Sequence, residues 1–278
     1  MESKNGRQIA IINVLGFAHL FLPILKMLGV EVFDVRRPGQ NMFIMPVWRC
    51  LLGWVSLGMH RRATLAWIKW LMKKYPQYDF ISTSHSIGTP SQMWAIARLT
   101  DNERDRIRFV CPLGPVAPQR WGQAKYIPFW KNGAGRITPL CVLGLVIPFF
   151  GTIVSSWVAT TAFANSQTCH VGRIYKRRFL TPDSSLLLLQ FLLGGGYMDD
   201  LDFVHDWFGD RFRIIVSRDD RLIPYGKLRE AVEEVGGDPD KVIIHLPGPK
   251  TTHCMVQPET LEPHDADVAK LKQILGLS

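Results

Sequence analysis

Short apolar runs alternate with amphipathic stretches along the first 115 residues and again from residue 205 onward. The apolar runs that predict strands are 8–17, 30–41, 106–115, 211–220 and 241–248. In 61–77, Leu65, Ile68 and Met72 fall on one helical face, and 225–237 predicts another amphipathic helix. Alternating strands and helices are typical of a parallel sheet covered by helices. We therefore predict an α/β fold with a mostly parallel, doubly wound sheet.

The alternation stops in the middle third of the chain. The segment 116–204 is rich in Trp, Phe, Leu, Gly and Pro, and it carries no charged side chain between Arg136 and Arg173. We predict that 1–115 and 205–278 form one core and that 116–204 is an apolar helical cap inserted into it.

One run within this predicted cap, 139–165, has the length of a membrane-spanning helix, which needs roughly 20 apolar residues. A single crossing, however, would place strands of one sheet on opposite sides of the bilayer. The proline and glycine residues of the run favour broken helices that cover a pocket. An apolar cap predicts a hydrophobic small-molecule substrate, with Phe149, Phe150 and Trp157 among the residues that line its site.

Composition and charge narrow the class of protein. The chain has 278 residues, of which 47% are hydrophobic and 21% charged, so it can bury a sizeable core. Its five cysteines have no paired spacing, which argues against a disulfide framework and against a zinc site and favours a reducing, cytoplasmic location. The net charge of +9 is dispersed, without the aromatic-interleaved basic stripe of nucleic-acid-binding proteins. We predict no nucleic-acid partner, no secretory signal and no metal.

A candidate nucleophile lies in the pentapeptide SHSIG at 84–88. The residues before it predict a buried strand, and those after Gly88 predict a helix. A serine at a sharp strand-to-helix turn with small residues two positions away on either side has the pattern of a nucleophile elbow. Ser86 occupies that position, with Ser84 where glycine is usual. The alternative interpretation is an ordinary polar loop.

Two further polar groups follow the late strands. Asp219 and Asp220 come directly after the strand predicted at 211–220, and His253 follows the strand at 241–248. Because the carboxyl ends of parallel strands meet at one edge of the sheet, these side chains are expected near Ser86.

Taken together, these residues resemble the α/β-hydrolase family over nearly the whole length outside 116–204. Ser86, Asp220 and His253 follow the family's order of nucleophile, acid and histidine. The stretches VLGF, DVRRPGQN, DDRLIP and HCMVQPE are similar to its oxyanion turn, early glycine turn, acid loop and histidine loop. The sequence departs from the family pattern at Leu15, where histidine is usual, and at Ser84.

The resemblance implies a serine hydrolase that needs no cofactor. His253 would take the proton of Ser86, and Asp220 would orient the imidazole. The backbone amides of Phe17 and Ile87 would hold the developing oxyanion. The substrate would be an ester, thioester or lactone.

Several residues keep two interpretations. Asp219 competes with Asp220 for the role of the acid, with Asp220 preferred because it matches the family pattern. His19 lies near the predicted oxyanion turn and either contacts substrate or is packed in a helix. His85 is expected to point away from the nucleophile and to be structural.

Two other functions and two cap contacts stay open at this point. The alternatives are a cofactor-independent oxygenase or lyase of the same fold and a non-catalytic binding protein. The apolar cap would rest on a membrane surface, pair with a second subunit as a homodimer, or be ordinary core, and ordinary core is preferred over membrane docking.

Overall fold

The computed structural model of the protein describes residues 6–14, 23–35, 59–116, 118, 196–218, 220, 225–249, 251, 253, 255–257, 260 and 262–277. Its strands are β1 (Gln8–Val14), β2 (Glu31–Val35), β3 (Tyr78–His85), β4 (Ile107–Leu113), β5 (Ile214–Val216) and β6 (Ile243–His245). Its helices are α1 (Pro23–Lys26), α2 (Met59–Lys74), α3 (Thr89–Ala97), α4 (Asp101–Arg104), α5 (Met198–Phe208), α6 (Tyr225–Glu234), α7 (Pro239–Val242) and α8 (Asp265–Leu275).

The strands form one sheet in the order β2-β1-β3-β4-β5-β6, and every pair within it is parallel. This arrangement confirms the predicted α/β architecture. The register aligns the carboxyl ends: Val14 pairs with Ser84, and His85 pairs with Leu113. The residues that follow these strands therefore share one edge of the sheet.

Helices cover the sheet on both faces and bury two apolar clusters. One cluster lies under α2, α3, α5 and α6 and includes Phe80, Ile96 and Phe212. The other lies under α1 and α8 and includes Ile11 and Leu271. A parallel sheet buried on both faces explains why β1 and β3 are nearly continuous apolar or small-residue runs rather than alternating ones.

The helix predicted at 61–77 is α2, which begins at Met59 and ends at Lys74. Ile68 and Met72 are buried as predicted. The helix ends before Pro76, and the two lysines of its last turn suit the negative end of the helix dipole.

The described residues at the end of the predicted cap pack against the sheet. Helix α5 crosses the predicted boundary between residues 204 and 205 without a break. Its buried residues Met198, Leu201, Val204 and Phe208 belong to the cluster that packs on the sheet. The part of the predicted cap that lies in α5 therefore packs with core residues, and the predicted domain bounds stay a prediction. The rest of the predicted cap, with Phe149, Phe150 and Trp157, lies outside the described residues.

Within the described part of the chain, no helix combines the length and the apolar character needed to cross a bilayer.

Candidate active site

The strand and the helix predicted on either side of Ser86 are both present. Strand β3 ends at His85, a single 3₁₀ turn covers Ser86–Gly88, and α3 starts at Thr89. Ser86 has φ +51°, in the left-handed region that costs a residue with a side chain about 1–2 kcal/mol. A strained backbone of this kind persists only where the surrounding structure fixes it, and it concentrates at functional sites.

The serine that replaces the usual glycine is held by the helix that follows. The hydroxyl of Ser84 lies 3.1 Å from Oγ1 of Thr89 and donates to the side-chain oxygen of Gln92. The amide nitrogen of Gln92 in turn donates to Oγ of Ser82 at 2.9 Å. All four side chains are buried. The departure at Ser84 is thus accommodated by polar partners on the first turns of α3.

The predicted acid and the predicted imidazole are paired. Nδ1 of His253 lies 2.7 Å from Oδ2 of Asp220, and both side chains are at most 5% exposed. A carboxylate only accepts hydrogen bonds, so the proton of the neutral ring sits on Nδ1 and leaves Nε2 free to accept one. The structure therefore brings Asp220 to His253, while Asp219 lies outside the described residues.

Glycine 114 lies against this pair, and sequence analysis did not identify it. It follows β4 with φ +50°, and its N–H donates to the carbonyl of Ile215 at 2.7 Å. A Cβ at Gly114 would lie 3.2 Å from both Cε1 and Nδ1 of His253 and 3.5 Å from Oδ2 of Asp220. The only signal in the sequence was a glycine between two prolines at the end of a strand.

His85 lies beside His253 as well. Its Nε2 is 3.0 Å from the backbone carbonyl of His253, and the two ring centroids are 4.7 Å apart. Burial, followed by the proximity of His253, lowers the pKa of His85 to about 3. The ring is therefore neutral at physiological pH. The sequence predicted a structural residue that points away from the nucleophile, and it gave no sign of this contact with His253.

The remaining predicted site residues stay predictions. Phe17 and His19 lie outside the described residues, as do the cap aromatics. Ile87 lies in the 3₁₀ turn directly after Ser86, and the role of its backbone amide as an oxyanion donor stays a prediction. Among the described residues, no cluster of three or more His, Cys, Asp or Glu side chains has the arrangement of a metal site.

Comparison with known proteins yields likenesses of structure but none of sequence. No family model matches this chain, and no curated protein matches it. A soluble variant of monoglyceride lipase from Saccharomyces cerevisiae is similar over 99% of this chain and 88% of its own, with a TM-score of 0.57 and 15% identity. An extracellular α/β-hydrolase from a Paenibacillus species is similar over 96% of this chain and 98% of its own, with a TM-score of 0.56 and 13% identity.

A third similar structure is a bromoperoxidase from Bacillus anthracis, with a TM-score of 0.56, 13% identity, and coverage of 97% of this chain and 92% of its own. At such identities a likeness establishes a shared fold and nothing finer.

Proposed function

We propose that this chain, which has the α/β-hydrolase fold, is a serine hydrolase that cleaves an ester, thioester or lactone through an acyl-enzyme. The observation that carries the proposal is the buried pair of Asp220 and His253, which lies beside the residue preceding Ser86. A buried carboxylate at Nδ1 of an imidazole, in contact with the residue that precedes a serine in a strained turn, fits nucleophilic catalysis.

In the proposed reaction, Oγ of Ser86 attacks the substrate carbonyl while Nε2 of His253 takes its proton. Asp220 stabilises the imidazolium, and the amides of Ile87 and Phe17 receive the oxyanion. The tetrahedral intermediate then expels the alcohol or thiol, which leaves with the proton from His253. Water, deprotonated by the same imidazole, attacks the acyl-enzyme, releases the acid and restores Ser86.

The cofactor-independent oxygenase is less well supported than the hydrolase. In that alternative the histidine acts as a base and no acyl-enzyme is needed. The acid that partners this histidine is expected after β4, the strand before the penultimate one. Here the acid is Asp220, which follows β5, and the end of β4 carries Gly114 instead. A non-catalytic binding protein would have no need to keep the buried Asp220–His253 pair in contact with the residue before a strained serine.

The substrate class and the cap belong to the proposal as well. We infer a lipophilic acyl or alcohol group from the apolar composition of the cap, with Phe149, Phe150 and Trp157 facing it and His19 near the oxyanion turn. For the cap we prefer ordinary core over membrane docking, and contact with a membrane surface or with a second subunit is the alternative that the same composition suggests.

Labelling with a fluorophosphonate probe, followed by peptide mapping, tests the proposal. The probe should attach to Ser86, and Ser86→Ala should abolish labelling. Ser91→Ala, at a buried serine of α3, is the matched control and should label normally. Labelling that persists in Ser86→Ala, or that maps to another residue, would refute the assignment of the nucleophile.

A further inference from the structure

His253 lies in the segment between β6 and α8, whose described residues form no helix or strand. In its described part, two side chains from the sheet edge reach its backbone. Oγ of Ser217 donates to the carbonyl of Thr251 at 2.6 Å, and Nε2 of His85 lies 3.0 Å from the carbonyl of His253. Met255, two residues further on, has φ +58°, so the loop holds a strained conformation close to the imidazole.

The direction of the hydrogen bond at His85 follows from its partner. A carbonyl oxygen only accepts, so Nε2 of His85 carries the hydrogen and donates it. The ring is about 4% exposed and is neutral across the physiological range because burial lowers its pKa to about 3. The bond therefore stays unchanged at every pH at which a histidine base would work.

The absence of charge on the His85 ring also affects how readily His253 can accept a proton. During acyl transfer its ring would become an imidazolium, with the uncharged ring of His85 at a centroid distance of 4.7 Å. A second positive charge at that distance would oppose the proton transfer, whereas a neutral donor does not. His85 can thus hold the base without competing for its charge.

We propose that His85 is a positioning residue for His253: by donating to its backbone carbonyl, it fixes where the imidazole stands relative to Ser86. This inference rests on the proposed function. Adjacent residues would then serve both partners of the proton transfer, since Ser86 supplies the nucleophile and His85 holds the base. A displacement of about 1 Å at a reacting centre can lower the rate about 100-fold. Loss of the single hydrogen bond from His85 is therefore enough to slow the reaction measurably.

The test compares three substitutions of His85 in the full chain. In His85→Gln the amide reaches about as far as Nε2, so the bond to the carbonyl is kept. In His85→Asn the same amide is one bond too short, and His85→Leu has no donor. The probe is again a fluorophosphonate, whose maximal labelling rate and half-saturating concentration separate reaction from binding.

We expect Asn and Leu to lower the maximal rate about 10- to 100-fold, with the half-saturating concentration within about threefold, and Gln to restore it to within about fivefold. A second readout is the proton NMR resonance of the hydrogen between Nδ1 of His253 and Asp220, assigned by its loss in His253→Gln. It should persist in His85→Gln and broaden in His85→Asn, because a loosened loop admits solvent exchange.

Ser217→Ala is the matched control because it removes a buried hydrogen bond to the same loop without touching the Asp220–His253 pair. It should lower the melting temperature but keep the labelling rate within about threefold, because the Ser217 hydroxyl binds the carbonyl of Thr251 and not that of His253. Equal slowing in Ser217→Ala and His85→Asn would overturn the special role of His85.

Two other results would also overturn it. One is an unaltered labelling rate and resonance in His85→Asn, and the other is a His85→Gln variant as slow as His85→Asn at an unchanged melting temperature. If His85→Leu fails to fold, the Gln and Asn pair still decides. Failure of the proposed function looks different, because the unsubstituted chain would then not label at Ser86 at all.

Discussion

At the scale of single residues, the site depends on two backbone positions in the left-handed region. Ser86 has φ +51° at the end of β3, and Gly114 has φ +50° at the end of β4. The first aims a side chain out of a tight turn, whereas the second removes one so that the imidazole of His253 can approach the main chain. A side chain at residue 114 would strain the left-handed backbone and would also press against the imidazole of His253.

Gly114→Ala should therefore lower activity more than stability alone explains. Its Cβ would lie 3.2 Å from two atoms of His253, so the ring has to shift by a few tenths of an ångström. The left-handed backbone adds about 1–2 kcal/mol of strain. Gly236→Ala is the control, with φ +76° and no atom within 4 Å of the new Cβ.

The melting temperature should fall by a similar amount in both variants. Only Gly114→Ala should slow fluorophosphonate labelling, by about tenfold or more. Equal labelling rates in the two variants would show that Gly114 serves the backbone and not the imidazole.

At the scale of elements, the turn between β3 and α3 is joined by side chains as well as by backbone. Ser82 and Ser84 project from the strand, Gln92 and Thr89 from the helix, and the four form one buried hydrogen-bonded group. Removing one member leaves its partners buried without a hydrogen bond, which costs more than the bond itself contributes. The group therefore fixes the angle at which the helix leaves the strand.

Ser84→Gly, which restores the residue usual at this position, should destabilise this chain by about 1–3 kcal/mol because Gln92 and Thr89 lose a partner. Urea unfolding measures the free energy. A double-mutant cycle with Gln92→Met should give a coupling of at least about 0.5 kcal/mol, because the two substitutions remove the same bond. Additive effects would mean that the two side chains act independently.

Elements with local signals were predictable from the sequence, and contacts between distant segments were not. The apolar spacing of 61–77 and the buried run before Ser86 depend on neighbours a few residues away, so α2 and β3 were predicted within a few residues of their observed ends. The strand predicted at 211–220 is reduced to the three residues of β5, because sheet pairing rather than apolar character sets its length.

The candidate site likewise combines residues that local sequence indicates with contacts between distant segments that it does not. The positions of Ser86, Asp220 and His253 after strands were predictable from the family-like order of the sequence, whereas their catalytic roles stay predictions. The contact of His85 with His253 joins positions 168 residues apart, and the approach of Gly114 to the imidazole depends on the register of β4 beside β5. Neither leaves a pattern in the local sequence.

At the scale of the whole molecule, the neutral His85 ties global stability to pH. The folded chain holds its ring unprotonated because burial lowers the pKa to about 3, whereas the unfolded chain binds a proton near the ordinary value of 6.5. Between these values the unfolded state binds more protons, so stability falls as the pH decreases from about 6.5 to about 3. Above 6.5 this contribution is complete.

His85→Gln should therefore flatten the acid side of the stability profile. For each pH unit by which the pH decreases in this window, the free energy of unfolding of the unsubstituted chain falls by up to about 1.4 kcal/mol through His85 alone. Urea unfolding at pH 7 and at pH 4.5 gives the two free energies for both chains, and the other titrating groups cancel in the difference between them. An equal loss in both chains would show that His85 does not titrate on unfolding.

The separation of 168 residues between His85 and His253 also bears on how the chain is made. At about 5–20 residues per second, a ribosome would deliver His253 on the order of ten to thirty seconds after His85. Under the proposed mechanism, the nascent polypeptide would have its serine but no base throughout that interval, so it could not form an acyl-enzyme. Under the proposed mechanism, hydrolytic activity would therefore require synthesis to continue past His253, beyond the last strand of the described sheet.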